Sequence, residues 1–229
     1  MQKDEIKKMF DCAVHIGHRT QKWNPRMKRY IYGERNGIHI INLEKTYEML
    51  EKALAFLSKY ASEGKTVLFV STKPQSLKLI EKLAHDCHMP YVVSKWIPGL
   101  ITNFSTIKTR IKYLADLKSQ EASGELAKYT KKEISKLKKI IDKLQIALGG
   151  VQNMNSRPDV VFVVDALRDK IVVKEARRMR IPVVAIVDTN ADPTLVDYPI
   201  PGNDDAIKSL TYFVDLLREI FEKTGNAKK

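Results

Sequence analysis

Cysteine is scarce in this sequence, where Cys12 and Cys87 are the only two among 229 residues. Two cysteines provide neither a disulfide framework nor the paired Cys-x-x-Cys motifs of a structural zinc site. We therefore expect free thiols in a reducing compartment, and we exclude the class of small secreted proteins that depend on disulfide bonds.

Long apolar runs are also missing. No stretch approaches the roughly 20 apolar residues that a transmembrane helix needs. The first residues, MQKDEIKKMF, lack the apolar core of a signal peptide. We expect a soluble cytoplasmic protein without a membrane partner, and 44% apolar residues are enough to build a core.

The sequence has no complete phosphate-binding motif. Gly64-Lys65-Thr66 resembles the end of a Walker A loop, but Lys59 stands where the first glycine is required. The tripeptide also precedes an apolar run instead of following one. No Gly-x-Gly-x-x-Gly follows a predicted strand, and no Gly-x-Ser-x-Gly is present. These absences argue against the common nucleotide-dependent enzymes and α/β-hydrolases.

Positive charge is abundant and unevenly distributed. The chain has 40 Lys and Arg against 27 Asp and Glu, a formal net charge of +13. Residues 1–30 hold eight basic and three acidic side chains, and residues 95–144 hold twelve and five, whereas residues 159–217 hold seven and ten. Such an excess indicates a polyanionic partner. The first two regions are the expected binding faces, and the last third is the expected scaffold.

Five apolar runs predict strands at 38–42, 66–71, 91–93, 160–164 and 183–187. They are nearly continuous, as in strands buried on both faces of a parallel sheet. Helical patterns lie between and after them, at 44–61, 74–87, 170–179 and 204–223. This alternation predicts a doubly wound α/β fold with a mainly parallel sheet. Asn36-Gly37 additionally predicts the turn of a hairpin.

Residues 103–148 interrupt the alternation because they contain no strand candidate. Their apolar side chains follow heptad spacing in two stretches, 104–114 and 134–148. Thr130 and Glu133 form the pattern of a capping box at the start of the second stretch. We predict an antiparallel coiled-coil helical hairpin, inserted into a globular domain formed by 1–102 and 149–229. Two ordinary core helices with solvated lysines are the alternative.

Three carboxylates are expected at the carboxyl edge of the sheet. Asp188 follows a predicted strand, and Asp204 and Asp205 open the last predicted helix. If the N-terminal region folds over this edge, His18 with Asp188 and Asp205 would form a mixed nitrogen and oxygen site for a divalent metal. The alternatives are helix capping for the acids and hydrogen bonding for the histidine. This edge also defines a second functional hypothesis, an α/β enzyme that binds a metal or nucleotide.

The strongest motif is RTQKWNPRMKRY at 19–30, in which five basic residues are interleaved with Trp23 and Tyr30. Lysine and arginine neutralise phosphates, and aromatic faces stack on unpaired bases. Lys95-Trp96 and Asn103 repeat the pattern before the predicted hairpin. Each tryptophan could instead belong to the core.

Three long motifs carry a resemblance to a known family. They are AVHIGHRTQKWNPRMKRYIYGERNGIHIINLEKT, KWIPGLITNFSTI, and PDVVFVVD with the following KEARRMRIPVVAIVDTNADPTLVDYPIPGNDDAI. The sequence resembles the bacterial-type small-subunit ribosomal protein two family over about residues 4–215. One departure is Pro98, where the family usually has glycine. Proline lacks an N–H group, so a backbone contact at this position is not expected.

The resemblance implies a Rossmann-like α/β domain with a coiled-coil hairpin and no enzymatic activity. It also implies a structural role on the small ribosomal subunit, with no required cofactor. The implied partners are the subunit's ribosomal RNA and neighbouring ribosomal proteins, including ribosomal protein one. The implied location is ribosome-bound in the cytoplasm, and an organellar origin remains open. By position, the family's RNA-facing motifs also include Pro25, Met27, Gly99, Thr102 and Phe104.

The residue patterns and the resemblance together predict a set of RNA-binding side chains in the basic N-terminal segment, the 95–112 segment and the hairpin. We predict no catalytic residue. The predicted RNA-binding residues are Arg19, Lys22, Trp23, Asn24, Arg26, Lys28, Arg29, Arg35, Asn36, Lys95, Trp96, Asn103, Lys108, Lys112, Lys131 and Lys132.

Overall fold

Helices and strands alternate along most of the chain in the computed structural model, which describes residues 2–226. The helices are α1 Gln2–Asp11, α2 Leu43–Ser62, α3 Leu77–Asp86, α4 Phe104–Ala122, α5 Lys131–Leu148, α6 Lys170–Arg178 and α7 Ile207–Asn226. The strands are β1 Ile16–Arg19, β2 Ile31–Arg35, β3 Ile38–Ile41, β4 Val67–Val70, β5 Tyr91–Val92, β6 Val160–Val163, β7 Val183–Val187 and β8 Tyr198–Pro201. Within the described residues, no helix is both long enough and apolar enough to cross a membrane.

The central sheet has five parallel strands in the order β5-β4-β6-β7-β8. The chain moves outward from β4 to β5, returns to β6 on the other side of β4, and then continues to β7 and β8. This reversal is the hallmark of a doubly wound sheet, and it places a crevice at the carboxyl ends of β4 and β6. The predicted α/β fold class is confirmed.

Successive residues of the buried strands enter two different cores. Leu68 and Val161 point into one core with residues of α4, α5 and α6, whereas Phe69 and Phe162 point into the other with residues of α2, α3 and α7. Side chains alternate between the faces of a strand, so a strand covered on both sides needs apolar residues at every position. This explains the continuous apolar runs in the sequence.

A second sheet has three antiparallel strands in the order β1-β3-β2. Asn36 and Gly37 join β2 to β3 with φ values of 53° and 74°, as the predicted hairpin turn requires. The prediction that the run at 38–42 joins the parallel sheet is wrong. Its residues are only partly buried except Ile41, and they pair with β1 and β2. A short apolar run does not by itself specify its sheet.

Helices α4 and α5 form the predicted pair between β5 and β6. Lys108 near the start of α4 donates to the carbonyl of Asn155 beyond α5, and Glu121 at the other end lies 3.8 Å from Lys138. This order of contacts is that of an antiparallel pair. The Thr130–Glu133 capping box is present, and α5 ends immediately before Gly149. Coiled-coil geometry stays a prediction.

Two helix starts and one edge strand differ from the sequence prediction. Helix α3 begins at Leu77 instead of at residue 74, and α7 begins at Ile207 instead of at residue 204. Strand β8 was not predicted, because two of its four residues are proline. Proline is tolerated there because β8 is an edge strand.

Candidate nucleic-acid interface

The basic N-terminal segment, residues 19–36, is held on the carboxyl end of the central sheet. The backbone N–H of Asn24 donates to the carbonyl of Thr189 at 2.7 Å. The Asn24 side chain accepts from the N–H of Arg26 at 3.0 Å and so caps a short 3-10 helix, Pro25–Tyr30. Met27 and Tyr30 of this helix are buried in the core. The segment is therefore a rigid support, and Met27 does not face RNA.

Each charged side chain predicted in this segment is exposed. Arg26 forms an ion pair with Asp192 and also donates to the Thr194 hydroxyl at 3.2 Å. Burial alone would raise the pKa of the Asp192 carboxyl, but hydrogen bonds from Thr194 and the Arg26 charge lower it below its usual value. The Arg29 guanidinium lies 4.9 Å from the Tyr30 ring centroid. The exposed cations of the segment are Arg19, Lys22, Arg26, Lys28, Arg29 and Arg35.

Trp23 is 36% exposed, and its ring centroid lies 5.2 Å from that of His39. One side of the indole is thus supported by the small sheet while the rest is open to solvent. Asn36, at the hairpin turn, is also exposed. This is the arrangement that a stacking contact with an unpaired base requires.

The second predicted segment, 95–112, is organised by Glu175 on α6. Glu175 is 8% exposed, and its carboxylate accepts from the indole N–H of Trp96 and from the backbone N–H groups of Gly99, Ile101 and Thr102 at 2.8–3.2 Å. Burial would raise the pKa of Glu175, but these hydrogen bonds outweigh it and hold the pKa below its ordinary value. The charged carboxylate therefore fixes the loop before α4.

Trp96 lies in the core at 6% exposed, so its ring is not available to a base. We accordingly remove it from the RNA surface predicted from the sequence. Asn103 stays exposed at the start of α4 and accepts from the Thr106 hydroxyl at 3.0 Å. The remaining predicted residues of this segment and of the α5 start are exposed lysines, namely Lys95, Lys108, Lys112, Lys131 and Lys132.

The crevice at the carboxyl ends of β4 and β6 contains a charged cluster that sequence reasoning found only in part. Lys73 follows β4, is 7% exposed, and its ammonium lies 2.7 Å from both Asp204 and Asp205 and 3.4 Å from Asp165. Burial alone would lower the pKa of Lys73, but these carboxylates raise it. The protein's own ammonium thus occupies the place where doubly wound folds usually bind ligands.

His18 joins this cluster from β1, as predicted for an N-terminal region folded over the sheet edge. Its Nδ1 lies 3.0 Å from Asp188, and its Nε2 lies 3.3 Å from Asp205. The hydrogen bond with Asp188 raises the pKa of His18 despite partial burial. Burial and the neighbouring Asp188 and Asp165 raise the pKa of Asp204 to about 7, against the opposing effect of Lys73.

One ligand atom from each of His18, Asp188, Asp204 and Asp205 lies within 4.8 Å of the others. The donor types suit a divalent cation. However, the Lys73 ammonium already supplies positive charge to Asp204 and Asp205, and nothing in the geometry demands a metal. Metal binding by His18, Asp188 and Asp205 stays a prediction.

Helix α7 begins only at Ile207, so Asn203 holds the turn before the helix instead of capping it, and Asp204 serves another purpose. The Asn203 side chain accepts from the N–H groups of Asp205 and Ala206. Asp204 is turned inward to Lys73 instead. The sequence carries no distinguishing signal for Lys73, whereas Glu175 could have been found as an acid on the apolar face of α6.

Comparison with known proteins identifies the family. A family model described as Ribosomal protein S2 matches residues 9–224. The small ribosomal subunit protein uS2 of Campylobacter curvus is 47% identical over 214 residues, which cover 93% of this chain and 81% of the relative. The proteins of the same name from Campylobacter concisus and Helicobacter hepaticus are also 47% identical over 93% of this chain, and the matches cover 82% and 81% of their lengths. The resemblance seen in the sequence is thereby confirmed, and this chain belongs to the ribosomal protein S2 family.

Proposed function

We propose that this protein is a structural constituent of the small ribosomal subunit and that it binds the subunit's ribosomal RNA. The observation that carries the proposal is the family match over residues 9–224. The family gives no support to the enzyme hypothesis. The Lys73 cluster that fills the sheet's ligand crevice points in the same direction.

The RNA-binding surface in this proposal consists of three basic parts on one chain. They are the N-terminal segment 19–36, the 95–112 segment and the start of α5. All eleven cations predicted in them are exposed. The globular part, 1–102 with 149–229, acts as the support, and the inserted hairpin, 103–148, extends the basic surface.

Affinity in this proposal comes mainly from the release of counterions as lysines and arginines meet phosphates. Specificity comes mainly from the shape of the folded RNA, since a rigid protein surface fits only certain arrangements of phosphates. That rigidity comes from the burial of Met27 and Tyr30 and from the Asn24 cap. It also comes from the hydrogen bonds that the Glu175 carboxylate accepts from the loop before α4. Trp23 adds a ring that stacks on an unpaired base.

The proposal also includes neighbouring small-subunit proteins as partners, ribosomal protein one among them, and a ribosome-bound location in the cytoplasm. No cofactor is required for RNA binding of this kind. If His18, Asp188 and Asp205 hold a divalent cation, its role is to fasten β1 to the central sheet, near the segment that contacts RNA.

Sedimentation tests the proposed function. The native protein is expected to travel with small ribosomal subunits at moderate salt and to be released at high salt, because the binding is largely electrostatic. Chemical footprinting of the RNA, with and without the protein, then locates the contacts. A protein that sediments alone at moderate salt contradicts the proposal.

A further inference from the structure

A groove at the amino end of β8 combines aromatic rings with free cations, and neither the predicted RNA surface nor the charged cluster includes it. Its rings are Phe56 and Tyr60 of α2 and Tyr198 of β8. Its cations are Lys59 of α2, with Arg177 and Arg180 at the end of α6. Two adjoining cavities of about 740 and 450 Å³ share these rings. Their size is that of a typical ligand site.

The three rings pack against one another and form one apolar platform, of which only the surfaces not covered by a neighbouring ring are open to a base. The Phe56 centroid lies 4.1 Å from that of Tyr198, with the planes at 20°, and 4.3 Å from that of Tyr60. All three side chains are only partly buried. Each nucleobase has an aromatic face, so stacked rings on a protein surface suit unpaired bases of any sequence.

The cations beside the platform have no carboxylate partner. Lys59, Arg177 and Arg180 are exposed, and within residues 2–226 no acidic oxygen lies within 4.0 Å of their nitrogens. The acid of the groove is Asp197, whose Oδ2 accepts from the N–H of Val183 at 2.8 Å. Three cations against the one carboxylate of Asp197 leave these residues with a net positive charge, which attracts an anion.

Arg180 adds an observation from the backbone. It follows the end of α6 with φ of 56°, a left-handed conformation that strongly favours glycine. An arginine at this position gives up some backbone stability and places a guanidinium beside the rings.

The groove adjoins the N-terminal segment. The carbonyl of Thr194 accepts from Arg177 at 3.2 Å, and its hydroxyl accepts from Arg26 at 3.2 Å. An RNA backbone whose phosphates contact both Arg26 and Arg177 would bring its bases to the platform. A double helix hides its bases, whereas a single strand exposes them.

We propose that this groove binds a single-stranded RNA segment, with phosphates on Arg177, Arg180 and Lys59 and bases on the Phe56–Tyr198 platform. This goes beyond the proposed function, which places folded ribosomal RNA on the segments 19–36 and 95–112 and on the hairpin. An acidic protein segment is the competing occupant, and the test below distinguishes the two.

The test is a titration of the full chain with a fluorescent twelve-nucleotide polyuridine, followed by anisotropy at several salt concentrations. Phe56→Leu is expected to weaken binding about tenfold, because stacking is lost while the apolar volume is largely kept. Arg180→Gly is expected to reduce the slope of log affinity against log salt by about 0.7, the value of one phosphate contact on a single strand. The matched control, Lys78→Gln, removes an exposed lysine of α3 and should change neither quantity.

Arg180→Gly also separates binding from folding. Glycine relieves the left-handed conformation, so the variant should unfold at an equal or higher urea concentration while it binds RNA less well. Photo-cross-linking with 4-thiouridine in the oligonucleotide should label peptides that contain Phe56 or Tyr198. Wild-type affinity in both variants, or cross-links confined to 19–36, overturns the proposal.

A polyglutamate peptide provides the second arm. If it binds as tightly as polyuridine, and Arg180→Gly weakens both ligands while Phe56→Leu affects neither, the groove is a site for acidic proteins and the RNA proposal is wrong. Failure here remains distinct from failure of the proposed function. Failure of the proposed function would appear as loss of cosedimentation with small subunits, an experiment in which the oligonucleotide is not used.

Discussion

Two tryptophans occupy similar sequence settings and have opposite environments. Each follows a lysine, as Lys22-Trp23 and Lys95-Trp96, and each has a proline two residues later. Trp23 is 36% exposed beside His39, whereas Trp96 is 6% exposed and donates its indole N–H to Glu175 at 3.1 Å.

The difference comes from what else is available to fill the core. In the N-terminal segment, Met27 and Tyr30 take the buried positions, so Trp23 lies outside. In the 95–104 loop, Trp96 is buried because its indole N–H finds an acceptor. That acceptor is Glu175 of α6, which lies 79 residues away in sequence. A tryptophan among lysines is therefore open to solvent in one region and a core residue in the other.

The largest expected effect is that of Trp96→Ala. Removal of a buried tryptophan costs about 4 kcal/mol of unfolding free energy, because the apolar contacts are lost and a cavity remains. RNA affinity of the folded variant should stay near the wild-type value. Urea unfolding and filter binding measure the two quantities. Near wild-type stability with weakened RNA binding would show that Trp96 contacts RNA, as proposed for Trp23, and is not needed in the core.

Glu175→Gln should cost about 3 kcal/mol of unfolding free energy, because five donor groups from four residues lose a charged acceptor in a buried site. The pKa of Glu175 lies below its usual 4.5 in the folded state, so its contribution is present above that pH and lost as pH falls through the folded value. The stability difference between wild type and variant should thus shrink in acid. The control Glu48→Gln alters an exposed acid of α2 and should change stability by less than about 0.5 kcal/mol. An equal loss of stability in both variants would contradict the role of the Glu175 carboxylate in fixing the loop before α4.

Trp23→Ala should weaken RNA binding by about 1 to 3 kcal/mol through loss of stacking. Its effect on unfolding should be smaller than that of Trp96→Ala, because Trp23 is partly exposed. Affinity is measured on a ribosomal RNA fragment defined by footprinting. Early unfolding without a selective RNA defect would place Trp23 in the core and remove the contrast between the two regions.

The smallest expected effect is that of Lys28→Gln, which should lower the steepness of the salt dependence by about 0.9, or one phosphate contact. Lys78→Gln serves as the matched control. Arg26→Ala should also lower the slope by about one contact, although it additionally releases Asp192 from its ion pair. Filter-binding titrations at four or more salt concentrations measure the slopes. Equal slopes of log affinity against log salt for the wild type and Lys28→Gln would show that this lysine does not belong to the RNA surface.

Much of the fold could be predicted because it follows from periodicity. The runs at 66–71, 160–164 and 183–187 became parallel strands, since continuous apolar sequence suits burial on both faces. The Asn36-Gly37 turn and the Thr130–Glu133 box depend only on local chemistry. The run at 38–42 was assigned to the wrong sheet, because the spacing of apolar residues predicts a strand but not the strands with which it pairs.

The candidate site was predictable to a lesser extent. The sequence placed Asp188 and Asp205 at one edge of the sheet, and His18 joins them because the N-terminal region covers that edge, which the sequence alone did not establish. Lys73 was missed, since a single lysine after a strand has no distinguishing pattern. The groove around Phe56 and Tyr198 was also missed, because its two sides lie about 140 residues apart in sequence.

The sequence by itself determined the excess of positive charge and its regions, the order of most of the strands and helices, and the family. These are properties of composition and of neighbouring residues. Tertiary structure alone decided which aromatic rings are open to solvent and which cation fills the crevice. The physical reason is that burial of a polar or aromatic group depends on partners such as Glu175 and Asp204, which distant parts of the chain supply.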